Sequence, residues 1–150
     1  MSTASFTSTT DRALQCESLT VPELLKTSET LPFNKLLGLR LVRRHSDGVT
    51  IAVQVRPELL NGAGVLHGGV LATMADTAMG VALHNHFGGR RPITTTDLKI
   101  NYLRPISEGK AVARCYLVRV GKTLAVGRVE LFDPQRNLAA IAIVTYMILE

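Results

Sequence analysis

The stretch from His67 to His86 constrains the fold most, because it predicts a helix that is apolar on almost every side. Ala, Leu and Met, which favour helices, dominate it. Its apolar positions cover nearly the whole circumference: Val70, Leu71, Met74, Ala75, Ala78, Met79, Val81, Ala82 and Leu83. A helix of this kind has to be buried on most sides. Gly88-Gly89 is expected to end it.

Strand-like segments that can bury this helix lie on both sides of it. Val49 to Val55 alternates apolar and polar residues, the pattern of a half-buried strand, and Asp47-Gly48 before it predicts a hairpin turn. A mixed segment from Leu36 to Arg44 is expected to end in a strand. Four more strands are predicted after the helix, in what we expect to be an antiparallel meander: Ile93 to Leu103, Ala111 to Val120, Thr123 to Phe132 and Leu138 to Leu149. One helix and about six strands predict an α+β fold whose sheet curves around the helix.

The length of 150 residues suits one domain. We expect residues 1–30 to form a tail with a short helix between Asp11 and Lys26, and residues 31–150 to form the domain. The first ten residues lack the apolar segment of a secretory signal, and no membrane span is expected. Cys16 and Cys115 are far apart and have no metal-ligand spacing, so free thiols in a reducing, cytoplasmic environment are predicted.

The net charge of +5 is compatible with nucleic acid, an anionic membrane surface or a phosphorylated small molecule as partner. The basic residues are scattered, however, and Arg43-Arg44 and Arg90-Arg91 are the only basic pairs. No zinc-finger spacing or RNA-binding aromatic motif accompanies them. Nucleic acid is therefore not predicted as a partner, and most of these side chains are expected to be solvated.

Two features of the long helix carry possible chemistry. Asp76 places a carboxylate on an apolar helix, which is costly unless the group is paired or functional. His67-Gly68-Gly69 begins the helix, where free N–H groups and the helix dipole suit an oxyanion or a carbonyl oxygen. The alternatives are a structural ion pair or hydrogen bond for Asp76, and an ordinary tight turn for the glycines.

The spacing of these two features has a consequence for assembly. Asp76 lies eight residues after Gly68, which is about 12 Å along a helix axis. An oxyanion donor and an attacking group must both lie within about 3 Å of one carbonyl group. Two antiparallel copies of the helix satisfy this condition, so if both features are catalytic a twofold dimer with shared sites is predicted.

Weaker candidates flank the helix. Asn61 is suited to orient a water or a carbonyl oxygen, although Asn before Gly62 is also a common turn pair. The Thr94–Asp97 segment opens the next strand, and a hydroxyl there can hold a water for Asp76, although Thr simply suits strands. His84-Asn85-His86 is interpreted as a helix end in which imidazoles meet exposed carbonyls, because no third metal ligand is evident. No metal is expected.

Taken together, these motifs form a specific combination. They are Asn61, His67-Gly68-Gly69, Asp76, the strand segment from Thr95 to Pro105, and Gly121 to Ala125. The combination resembles the phenylacetate-pathway type of hotdog acyl-CoA thioesterases, over roughly Phe33 to the C-terminus. The resemblance implies a long helix wrapped by a six-stranded antiparallel sheet, in homodimers and often in homotetramers.

The resemblance also implies roles for residues. Asp76 would be the nucleophile or general base, and the Gly68 N–H of the other subunit would polarise the thioester carbonyl. Asn61 would help to place the carbonyl or the water, and Thr95 would orient the water. Candidates to contact the phosphates of CoA are Arg90, Arg91, Arg104 and Lys122. CoA is part of the substrate, so no separate cofactor is expected.

The sequence differs from some members of the resembled family, and two other functions are also compatible with its motifs. Some relatives have Glu in place of Asp76 and Thr in place of Gly80. An acyl-CoA hydratase would use His67 as its acid–base group, and a non-catalytic acyl-CoA sensor would have no need of Asp76. Hydrolysis fits the motifs better than either rival. The acyl group is open between aromatic groups, such as phenylacetyl or hydroxybenzoyl, and medium-chain aliphatic ones.

Overall fold

A computed structural model describes residues 29–150, in which one long helix lies against one face of a six-stranded antiparallel sheet. A short helix, α1, spans Pro32–Leu37, and the long helix, α2, spans Gly68–Phe87. The strands β1 to β6 are Arg40–His45, Gly48–Gln54, Ile93–Tyr102, Lys110–Val120, Leu124–Phe132 and Leu138–Ile148. The predicted helix between Asp11 and Lys26 lies outside the described residues. This architecture confirms the predicted α+β class with a sheet around one helix.

Helix α2 begins and ends where its sequence predicts. His67 is the N-cap, and its Nδ1 atom accepts a hydrogen bond of 2.8 Å from the Gly69 N–H. Gly88 follows the last turn in the left-handed conformation (φ 61°), which glycine adopts without strain. All nine apolar positions named from the sequence are buried. No helix within residues 29–150 combines the length and the hydropathy that crossing a membrane requires.

On the inner face of the sheet, β4 presents a run of small residues, which let α2 approach closely. Ala111, Ala113 and Cys115 of β4 are fully buried against the helix side. At Gly127 of β5 an added Cβ would overlap the sulfur of Met79 on α2. The sheet and the helix are therefore in contact at van der Waals distance, and Gly127 is needed for this contact.

Cys115 is a free thiol at the centre of this interface. Its Sγ lies 3.9 Å from the Met79 sulfur, and burial raises the pKa of the thiol to about 12. A thiol that is buried and protonated is chemically inert. Cys16 lies outside the described residues, and the reducing, cytoplasmic environment stays a prediction.

The predicted meander is correct for β4, β5 and β6 but wrong for β3, which pairs with β6 instead of β4. The reason is that β2 already occupies the free edge of β4, with Val49 opposite Cys115. The segment after β3 crosses the beginning of α2, where the Leu66 N–H donates to the Ile106 carbonyl at 2.7 Å. The β1–β2 turn is also one residue earlier than predicted, at Ser46 and Asp47.

We expect Gly127→Ala to lower the free energy of unfolding by about 1–3 kcal/mol, because Met79 must leave its position in a closely packed core. Urea unfolding monitored by circular dichroism measures this change. Gly62→Ala is the matched control, since nothing lies within 4 Å of a Cβ at this position, and its effect should stay within about 0.5 kcal/mol. A Gly127→Ala protein as stable as the wild type would show that Met79 moves aside freely.

Candidate active site

Asp76 lies half-buried on α2, beside the strand pair β3–β6. Its Oδ1 atom accepts a hydrogen bond of 2.7 Å from the Thr95 hydroxyl and one of 3.0 Å from the Tyr146 hydroxyl. Thr95 and Tyr146 are opposite each other in the sheet. Asp76 forms no ion pair within residues 29–150. Two neutral hydroxyls, and no cation, therefore hold this carboxylate.

A β-bulge turns Thr95 toward the helix. Thr95 is opposite Tyr146 and Asp97 is opposite Thr145, which leaves Thr96 as an extra residue. Further along β3, Leu98 is opposite the inward-facing Val144, so regular alternation would point Thr96 inward. The bulge reverses the alternation and gives Asp76 the hydroxyl of Thr95, in keeping with the way bulges redirect side chains next to functional sites.

Tyr146 is a site residue that the sequence analysis missed. Its hydroxyl lies 2.9 Å from the Asp76 backbone carbonyl as well as 3.0 Å from Oδ1. Burial raises the pKa of this phenol well above its usual range, so the hydroxyl stays protonated and can donate. The only signal in the sequence is that Tyr146 shares the inward-facing positions of β6 with Ala142 and Val144, where an aromatic residue suggests core packing.

The beginning of α2 faces a cleft of about 370 Å³. Its lining comprises Asn61, Val65, Leu66, Gly68, Leu71, Tyr102, Leu103, Arg104, Pro105 and Ile106. The Gly68 N–H donates to no group among the described residues, which leaves it available to an oxygen atom of a ligand. The Tyr102 hydroxyl donates to the Gly68 carbonyl at 2.8 Å, and its ring would lie 3.1 Å from a Cβ at Gly68.

Asn61 supports the loop before α2 as the turn interpretation predicts. Its side-chain oxygen accepts hydrogen bonds from the Ala63 N–H at 2.9 Å and the Val65 N–H at 3.3 Å. The amide group of the side chain is left as a donor. The loop role and a ligand role are therefore compatible, because they use different atoms of Asn61.

His67 is exposed, and its Nδ1 atom accepts the Gly69 N–H. An imidazole that accepts at Nδ1 carries its proton on Nε2 when it is neutral. The ring is thus engaged as a helix cap through Nδ1, and a catalytic role for His67 stays a prediction.

Backbone N–H groups cap the C-terminal end of α2. The N–H groups of Gly88 and Gly89 donate to the carbonyls of Asn85 and His84. The expectation that imidazoles meet these carbonyls is wrong: His84 Nδ1 is buried without a partner in the described part of the chain, and burial lowers the pKa of the ring. The His86 ring packs edge-on against Phe87. No group of three or more potential metal ligands occurs within residues 29–150.

The four basic candidates for CoA do not meet within one chain. Arg104 lines the cleft beside Gly68. Lys122 lies in the β4–β5 turn, near the start of β3, because the Ile148 N–H donates to the Thr123 carbonyl. Arg90 and Arg91 directly follow α2, at its other end. Only Arg104 is thus placed at the cleft.

Comparison with known proteins gives the family. A model of the thioesterase superfamily matches residues 63–140. The chain belongs to this superfamily. The enzyme is 32% identical over 133 residues to the medium/long-chain acyl-CoA thioesterase YigI of Escherichia coli, an alignment that covers 79% of this chain and 86% of YigI.

Solved structures agree with this assignment. A thioesterase from Haemophilus influenzae has the same fold, with a TM-score of 0.81, 21% identity and coverage of 90% of this chain and 94% of that one. The phenylacetic acid degradation protein PaaI of Thermus thermophilus is 28% identical, with a TM-score of 0.72 and coverage of 79% and 100%. The enzyme is a hotdog-fold hydrolase of the PaaI-like type, as the sequence motifs predict.

The loop role of Asn61 and its predicted ligand role can be separated by substitution. Asn61→Asp keeps an oxygen for the Ala63 and Val65 N–H groups but loses the amide donor. The predicted ligand role of the amide is to donate to the reacting oxygen, so we expect Asn61→Asp to unfold at the wild-type urea concentration but to hydrolyse thioesters about tenfold more slowly or worse. Asn61→Ala should in addition lower the free energy of unfolding, by about 0.5–1.5 kcal/mol for each lost hydrogen bond. Wild-type turnover in Asn61→Asp would restrict Asn61 to the loop role.

Proposed function

We propose that the enzyme hydrolyses acyl-CoA thioesters to a free acid and CoA, with the Asp76 carboxylate as nucleophile or general base. The arrangement of this carboxylate supports the proposal. Both hydroxyl donors, from Thr95 and Tyr146, bind Oδ1, and no described residue donates to Oδ2. One oxygen therefore anchors the group, and the other is left for a water or for the substrate.

We propose that each active site combines two subunits. Gly68 and Asp76 belong to one helix and lie about 12 Å apart along its axis, too far to serve one carbonyl group. Within residues 29–150, β3 pairs only with β6, so the other edge of this ten-residue strand is free. Pairing of two β3 edges about a twofold axis would set two α2 helices antiparallel. Asp76 of one subunit would then face Gly68 of the partner subunit.

A second association is proposed for the outer face of the sheet, where several large apolar side chains are exposed. Leu124 and Met147, which are opposite each other in the sheet, are 47% and 41% exposed, and Ile143 on the same face of β6 is 42% exposed. Apolar side chains clustered on one face are typical of surfaces that bind another protein. Two dimers joined through these faces would form the homotetramer that the sequence resemblance implies.

The proposed reaction uses the beginning of α2 as the oxyanion site. The thioester oxygen would accept a hydrogen bond from the Gly68 N–H, and the positive end of the helix dipole would stabilise the charge that develops on it. In one route Asp76 Oδ2 attacks the carbonyl carbon, CoA leaves as a thiolate, and water hydrolyses the mixed anhydride. In the other route Oδ2 takes a proton from a water that attacks the same carbon, and the C–S bond then breaks to release the free acid and the CoA thiolate.

For the substrate we propose medium- or long-chain acyl-CoA, the class named in YigI, the relative that is 32% identical. Aromatic acyl groups are the alternative that a substrate panel tests. Arg104 is the proposed contact for the CoA phosphates, because it is the one basic candidate that lines the cleft with Gly68. The other candidates, Arg90, Arg91 and Lys122, lie away from this cleft in the same chain. They could contact the CoA phosphates only from the partner subunit.

Asp76→Asn is expected to lower kcat about a hundredfold or more, because the amide neither attacks nor accepts a proton. Release of CoA from aliphatic and aromatic acyl-CoAs, read with a thiol reagent, measures it. Cys115 adds no background in the folded protein, because its thiol is buried with a raised pKa. Glu108→Gln, which changes an exposed carboxylate, is the control with unchanged turnover. Hydrolysis by Asp76→Asn at the wild-type rate would refute the proposed function.

The shared site is tested by mixing two inactive variants. Gly68→Pro removes the N–H at the first helical position, where proline is tolerated, and the extended ψ of 133° at His67 suits a following proline. Co-folded with Asp76→Asn at equal amounts, it should restore about a quarter of wild-type activity, since half of the dimers are mixed and each has one intact site of two.

Gly68→Ala is the matched control for this experiment. It adds the same Cβ next to the Tyr102 ring but keeps the N–H, so it should retain far more activity than Gly68→Pro. If the mixture of Gly68→Pro and Asp76→Asn is no more active than its components, the site does not combine Gly68 and Asp76 from different subunits.

A further inference from the structure

Gly80 lies one turn after Asp76, in the interior of a long helix where glycine is unfavourable. A close contact explains why the position has no side chain. A Cβ at Gly80 would lie 3.0 Å from the Tyr146 hydroxyl oxygen but 3.6 Å from the ring carbon that carries it. The tight contact thus involves the hydroxyl alone, and Gly80 provides the space that this hydroxyl occupies.

The Tyr146 hydroxyl has two acceptors within reach, and both belong to Asp76. The backbone carbonyl lies at 2.9 Å and the carboxylate Oδ1 at 3.0 Å. A phenol has one proton, so its donation is divided between the two oxygens. The hydroxyl therefore ties the carboxylate to the helix backbone, while Thr95 binds the same Oδ1 from β3.

We propose that Gly80 and Tyr146 form a pair that positions Asp76 for catalysis. Gly80 leaves room for the phenol hydroxyl, and this hydroxyl fixes the carboxylate through Oδ1 so that Oδ2 points toward the bound thioester. Tyr146 does not touch the substrate and is a positioning residue. The inference rests on the proposed function and deepens it, because it assigns a role to a residue that acts only through Asp76.

A double-mutant cycle tests the pair. Tyr146→Phe removes the hydroxyl and keeps the ring, so kcat should fall about tenfold or more, as misplacement of a reacting group does, with KM changed by less than about twofold. Gly80→Ala should lower kcat similarly, because its methyl group displaces the hydroxyl. In the double variant Gly80→Ala should cause no further loss, since the methyl group then meets only a ring carbon at ordinary contact distance.

Stability measurements separate positioning from folding. In the Tyr146→Phe background, Gly80→Ala should raise the urea midpoint, because alanine favours the helix, while kcat stays that of Tyr146→Phe. Tyr116→Phe, on the outer face of the sheet, is the matched control and should leave kcat unchanged. Loss of kcat that follows loss of the urea midpoint across the four proteins would indicate a structural role and overturn the proposal.

Two other outcomes also overturn it. One is a Tyr146→Phe enzyme with at least half of the wild-type kcat, and the other is a Gly80→Ala effect of the same size with and without the hydroxyl. Asp76→Asn, assayed in the same series, distinguishes failure of the positioning role from failure of the proposed function. If Asp76→Asn is inactive while Tyr146→Phe is fully active, only the positioning role fails. If Asp76→Asn keeps its activity, the proposed function fails.

Discussion

The burial of α2 is the constraint on which the rest of the structure depends. A fully buried Leu or Met side chain stabilises a fold by about 1.5–3 kcal/mol, and nine apolar residues of this helix are buried. Burial of these residues stabilises the fold by more than the cost of placing one half-buried carboxylate at the margin of the interface. Hydrogen bonds from two hydroxyls reduce that cost. The sheet therefore curves around the helix, and Asp76 is brought to a fixed position beside β3 and β6.

Much of this fold follows from local patterns in the chain. The composition and the bounding glycines of α2 predict its limits within a residue, and turn signals place the strands similarly well. Strand partners are different, because pairing depends on which edges are free. Strand β3 pairs with β6 because β2, which comes before the helix in the chain, already pairs with β4. Periodicity within β3 carries no information about this pairing. The Thr96 bulge is a further consequence of that pairing.

The candidate site residues divide in the same way. Asp76 and Gly68 stand out because a carboxylate and glycines are unusual in an apolar helix, and the family assignment drawn from them is confirmed. Tyr146 does not stand out, because an aromatic residue at an inward-facing strand position is ordinary core packing. Its hydroxyl becomes visible as a site group only when the register of β6 against α2 is known. The space beside Gly80, where some members of the resembled family have a threonine, is occupied by this hydroxyl from β6.

The contact between Gly80 and Tyr146 also restricts the order in which the two positions can change during evolution. A methyl group at position 80 meets the phenol oxygen while Tyr146 is present, but it fits once the ring lacks that oxygen. The route that begins at Tyr146 passes through a protein with a relaxed carboxylate, and the route that begins at Gly80 passes through a steric conflict. Two positions that are distant in the chain are thus coupled through a single oxygen atom, and glycine fits beside this oxygen although the helix itself would favour alanine.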